Sequence, residues 1–156
     1  LYDTTLGDGK TLAYMLAWCH GAPGIGLSRL RAYQITGDAA YREQAETAIR
    51  TTANSFSQAP QWDQNNFSLC HGLTGNAELL IYASQLLGVT KYKMLAEQVG
   101  NYGIENYERN RAPWPCGVLN GGETPGLMLG LAGIGHFYLR LHDPIATQPI
   151  VIILPD

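Results

Sequence analysis

Two short stretches set a thiol beside an imidazole: Trp18-Cys19-His20-Gly21 and Leu69-Cys70-His71-Gly72. Thiolate sulfur and imidazole nitrogen are the donor types that Zn²⁺ takes in preference to harder cations. Cys19, Cys70 and His71 would supply two sulfurs and one nitrogen. Three protein ligands leave a fourth tetrahedral position open, the pattern of a catalytic rather than a structural zinc site. His20, next to the first of them, could donate a proton or a hydrogen bond there. Spacing alone also allows a plainer reading. There is no Cys-x-x-Cys pair, cysteine is a common small core residue, and each Cys-His could merely precede a tight turn.

For the two stretches to meet, the chain must repeat. Gly21-x-x-Gly24, Gly72-x-x-Gly75 and Gly130-x-x-Gly133 recur at offsets of 51 and 58 residues. Each pair opens an apolar segment with helical spacing. The first runs through Ile25, Leu27, Leu30 and Tyr33, the second through Ala77, Leu79, Leu80, Ala83, Leu86 and Leu87. The third runs through Ile134, Phe137, Tyr138 and Leu141. Gly37 and Gly88 stand at C-cap positions, and Asp143-Pro144 ends the third helix. Second helices are predicted over 39–56, with Tyr41, Ala45, Ala48 and Ile49 on one face, and over 91–108. Only the tail, 150–154, reads as extended. The expected fold is all-α, about three helical hairpins of some fifty residues each. Such units bury their apolar faces only by stacking, as a solenoid or a closed ring. The glycine turns then share one rim, which lets Cys19 and Cys70 meet.

Composition narrows the function classes. The chain has 156 residues, 46% hydrophobic, enough for one domain with a core. A net charge of -3 offers no basic field for nucleic acid or anionic lipid. Nothing reads as a signal peptide or as a membrane span of ~20 apolar residues. Three cysteines, an odd number, fit reduced thiols in a cytoplasmic protein better than a disulfide framework.

WCHGAPGIGLSRL, SLCHGLTGNAELL and GGETPGLMLGLAGIGHFYLRL, with the closing PIVIILPD, together resemble the LanC-like lanthionine cyclases. The nearest likeness is to the C-terminal cyclase domain of bifunctional type II lanthipeptide synthetases, and it extends over essentially the whole chain. The resemblance implies an α/α toroid and one zinc ion held by Cys19, Cys70 and His71. It implies a thioether-forming reaction: a precursor-peptide Cys thiol, activated at zinc, adds to a dehydroalanine or dehydrobutyrine of the same peptide. The resulting enolate then takes up a proton. The dehydrated precursor peptide is the implied partner, with the remainder of a larger synthetase. Family members also use a His with an acidic neighbour from repeats upstream of the first motif. Only 18 residues precede Cys19 here, so residues 1–156 are expected to form a single, partial cyclase domain that keeps the metal ligands but, without the upstream acid/base residues, need not cyclise by itself. The alternative is a non-catalytic LanC-like zinc module that binds a peptide or a glutathione-like thiol.

The remaining candidates carry less. Cys116 falls in the third unit, but a fourth protein ligand would block a substrate thiol. His136 and His142 read as packed or helix-terminal, and 117–126 as a loop. GAPGIG lacks the preceding strand and the following Lys-Ser/Thr of a phosphate loop. Glu78 and Glu123 are the carboxylates nearest the motifs; Glu78 could orient a ligand imidazole, and the default for it is a solvated or helix-N-terminal carboxylate.

Overall fold

A computed structural model of the chain describes residues 15–56, 62 and 66–152. The described residues form five α-helices: α1 (Ala22–Thr36), α2 (Ala39–Phe56), α3 (Leu73–Leu87), α4 (Thr90–Gly103) and α5 (Leu131–His142). The described residues contain no strand. The pairs α1–α2 and α3–α4 are antiparallel-style hairpins of the expected size, and α5 opens a third unit, as one segment of an α/α toroid. Residues 150–152 of the expected extended tail form bends, and 153–154 lie outside the described residues.

Each helix follows from its own residues. Pro23 sits in the first turn of α1, where the missing N–H costs nothing. Both α1 and α3 end in a left-handed glycine whose N–H closes the last turn, Gly37 on Tyr33 and Gly88 on Ser84. On α2 the buried face is Ala45, Ala48, Ile49, Thr52 and Phe56, a 3.6-residue stripe laid against α1. Of the residues expected to face the core from α1, Leu27 and Leu30 do so. Ile25 does not; it is 52% exposed and lines a cleft instead. In the region expected as one helix over 91–108, the α-helix ends at Gly103 and passes into a π-helical turn, Ile104–Glu108. Aromatic packing surrounds that change: a Cβ on Gly103 would press on Tyr138, Phe67 and Trp114.

The middle unit is the keystone. Every residue of α3 from Leu73 to Ala83 is buried, because α1, α2, α4 and α5 all pack on it. Two of those residues are charged or amide-bearing, Glu78 and Asn76, and each pairs one of its polar atoms while one oxygen of each, Glu78 Oε1 and Asn76 Oδ1, stays unpaired. The buried carboxylate of Glu78 accepts from Arg140 Nε of α5 at 3.2 Å, and both side chains are fully buried. The Arg140 guanidinium also donates to the carbonyls of Pro144 and Thr147 and to Gln85. It ties the segment after α5 back onto α3.

The repeat is visible atom by atom. A Cβ on Gly24, Gly75 or Gly133 would overlap the carbonyl oxygen of the residue six positions earlier, Trp18, Leu69 or Leu127. The three turns are therefore one structure written three times, and only glycine lets the turn close on the helix. Gly75→Ala, in the buried unit, is expected to destabilise the chain at or above the ~1–3 kcal/mol typical of overpacking. Chemical denaturation of the two proteins checks this; equal midpoints would show that the turn can relax.

Candidate metal centre

Superposing the turns makes Cys19, Cys70 and Met128 equivalent, and likewise His20, His71 and Leu129. The first three are joined in series. The Cys19 N–H donates to the Cys70 carbonyl at 3.1 Å, and the Cys70 N–H donates to the Met128 carbonyl at 2.9 Å. This ladder along the rim brings residues 51 positions apart side by side. Cys19, Cys70 and His71 each present one ligand atom, and these atoms all lie within 4.8 Å of one another. Cys19 is exposed, whereas Cys70 and His71 are half-buried. Both Cys-His pairs end just before a helix, α1 or α3, whose free N–H groups favour anionic sulfur.

The donor set fits zinc. A tetrahedral ion with sulfur at ~2.3 Å spaces two sulfurs about 3.8 Å apart, so small side-chain rotations close the gap. Burial, and then the hydrogen bond and charge of Cys19, push the Cys70 thiol up to about 11. Two thiols this close resist ionising together, and a divalent cation between them removes that resistance.

His71 is held on two sides. Its backbone N–H donates to Ser68 Oγ at 3.3 Å, and its Nε2 lies 3.1 Å from the Gly117 carbonyl. A carbonyl only accepts, so Nε2 carries the proton and Nδ1 keeps the lone pair available to a metal. The loop before His71 is itself fixed: Asn66 Oδ1 accepts the Ser68 N–H, and the buried Thr74 hydroxyl donates to Phe67. On the Cys19 side, the Trp18 indole donates to the Val151 carbonyl at 2.9 Å, and Asn76 on α3 donates to the Leu16 carbonyl at 2.8 Å.

His20 is exposed and stands outside the thiol–imidazole group. With Cys19 it opens onto a cleft of about 610 Å³, walled also by Met15, Ile25, Gln44 and Thr47. Cys116 is not part of the group either; its thiol faces the Thr124 carbonyl at 4.0 Å. His136 bonds the Gln148 carbonyl, and burial holds its imidazole below the usual range. His142 is exposed in the last turn of α5. Glu123 accepts the Trp114 N–H.

The Glu78 expectation is corrected. Its carboxylate pairs with Arg140 inside the core, and the Gly117 carbonyl occupies the place expected for it beside the imidazole. Helical spacing alone could not show this, since α3 is buried on all sides rather than on one. Gly117 went unnoticed because its contribution is a backbone atom, for which side-chain type is no signal.

The family described as lanthionine synthetase C-like protein matches residues 2–152. Lacticin 481/lactococcin biosynthesis protein LcnDR2 of Lactococcus lactis subsp. lactis is 26% identical over 133 residues, covering 82% of this chain and 14% of its own length. Glutathione S-transferase LANCL1 of Danio rerio is 26% identical over 148 residues, covering 94% of this chain and 33% of its own length. The chain thus spans a third or less of the length of these relatives. No helix among the described residues is long and apolar enough to cross a membrane.

Proposed function

This chain belongs to the lanthionine synthetase C-like family, and from that premise we propose that it is the zinc-bearing part of a lanthionine cyclase. The observation that carries the reading is the convergence of Cys19, Cys70 and His71 from two successive turns to within 4.8 Å. Bound there, Zn²⁺ supplies Lewis-acid stabilisation of a substrate thiolate at neutral pH. The chain's own residues do the rest. Cys19, Cys70 and His71 would hold the ion. The cleft beside Cys19 receives the peptide, so that its cysteine sulfur and the alkene of a dehydrated residue meet. The sulfur–Cβ bond forms as the carbon–carbon double bond opens, and Cα takes a proton. In this reading His20, exposed on the cleft wall, delivers that proton.

A second reading has its own support. A relative that aligns with 94% of this chain is named a glutathione S-transferase. The same three ligands would then hold the thiol of glutathione as the nucleophile. The chemistry at the acceptor is unchanged, but the product is intermolecular.

One experiment separates the two readings. The zinc-loaded protein is incubated with a dehydrated peptide holding one cysteine and one dehydroalanine, with and without glutathione. Cyclisation leaves the peptide mass unchanged and removes its reactivity towards a thiol-alkylating reagent; glutathione transfer adds one glutathione. The cyclase reading predicts loss of alkylation without added mass, at whatever rate this partial domain supports. A purified protein that retains no zinc at all would end both readings.

A further inference from the structure

The loop of the third unit reaches into the metal centre through one residue. Gly117 donates its N–H to the Leu129 carbonyl at 2.7 Å, and Leu129 is the third-unit equivalent of His71. Two residues earlier, the Pro115 carbonyl accepts the Phe67 N–H at 2.7 Å. The 115–117 segment is therefore bonded to the His71 loop on one side and to the start of the next turn on the other. At the end of that segment the Gly117 carbonyl receives the His71 ring. The approach leaves no room for a side chain. A Cβ on Gly117 would stand 2.7 Å from Ser68 Oγ, 2.9 Å from Ser68 Cβ and 3.1 Å from His71 Cε1. Ser68 is fully buried and its Oγ accepts the His71 N–H, so neither neighbour can yield without moving His71.

We propose that Gly117 is a positioning residue of the metal centre: its carbonyl fixes His71 as the Nε2–H tautomer, and its missing side chain lets that carbonyl come close enough. The ligating atom is then Nδ1, and the third unit, which has no Cys-His of its own, shapes the site through backbone alone. Orientation of a ligand imidazole by a neighbouring acceptor is worth about 10–100-fold in metal affinity. The metal part of this inference rests on the zinc reading above; the tautomer part does not.

The test has two arms. Ring ¹⁵N shifts of His71 in the metal-free protein are expected to show a protonated Nε2 and a lone-pair Nδ1. A protonated Nδ1 overturns the proposal. Zinc affinity by chelator competition is expected to fall about 10–100-fold in Gly117→Ala. It should be unchanged in Gly126→Ala, where an added Cβ meets nothing within 4 Å. Folded Gly117→Ala with parental affinity also overturns it, and if that variant fails to fold the tautomer decides alone. A parent protein that binds no zinc but shows the Nε2–H tautomer would sink the metal reading and leave the His71–Gly117 bond standing.

Discussion

Cys70→Ala is expected to strip zinc from the protein. Four-ligand zinc sites hold their ion with apparent free energies of ~10–16 kcal/mol at neutral pH, roughly 3 kcal/mol per ligand. Loss of one ligand from a set of three should therefore lower affinity by about a hundredfold or more. Elemental analysis of purified parent and variant reads this directly, with one zinc per chain expected in the first and none retained in the second. The effect should also depend on pH. Burial and Cys19 keep the Cys70 thiol protonated up to about 11. Binding below that pH displaces its proton, so affinity rises with pH, up to about tenfold per unit for each proton displaced. The alanine variant should lose one proton from that slope. Equal zinc content in both proteins would remove Cys70 from the site. Cys19→Ala should behave alike, whereas Cys116→Ala should keep its zinc, since Cys116 lies outside the group.

The second large effect belongs to the core. Arg140→Met leaves the Glu78 carboxylate buried without its cation and removes the donor from the Pro144 and Thr147 carbonyls. Breaking one side of a buried pair typically costs about 3–5 kcal/mol, a large share of a stability of ~5–15 kcal/mol. Denaturant titration checks it, and a loss below 1 kcal/mol would show that the pair is not buried in solution. Glu78→Gln asks a subtler question. Burial pushes Glu78 up to about 7 against the pull of Arg140, so the folded chain holds a proton that the unfolded chain releases above about 4.5. The stability that this proton confers is full below about 4.5 and is lost as pH rises through about 7. Between those values the parent should lose stability relative to Glu78→Gln as pH rises, by at most ~1.4 kcal/mol per unit. Comparing the two proteins cancels the opposite tendency of His136, which is common to both.

These two sites differ in how far they could be read from the sequence, and the reason is physical. Cys19, Cys70 and His71 could be picked out because ligand chemistry restricts residue type, and because the glycine turns repeat. A turn that closes on the carbonyl six residues back tolerates only glycine, so local sterics leave a mark at Gly24, Gly75 and Gly133. The buried faces of α2 and α3 were legible for the same local reason, periodicity. Glu78 and Arg140 are 62 residues apart, and each by itself looks like an ordinary charge on a helix. Only the crossing of α5 over α3 makes them a pair. Ile25 broke its pattern because the cleft, not the core, borders that side of α1. The π-helical turn after Gly103 arises from aromatic packing around that glycine, which periodicity does not encode.

The bond from the Trp18 indole to the Val151 carbonyl spans 133 residues. It ties the neighbour of Cys19 to almost the last described residue of the chain. On a growing chain, then, Cys19 is made well before the residue that holds its neighbour. At ~5–20 residues per second, roughly 7–27 s separate synthesis of Trp18 from synthesis of Val151. Through that interval Cys19 lacks one of the contacts that hold it, and Met128, at the end of the rim ladder, does not yet exist for most of it. A metal entering before residue 151 is made would meet a centre that lacks one of the contacts behind Cys19.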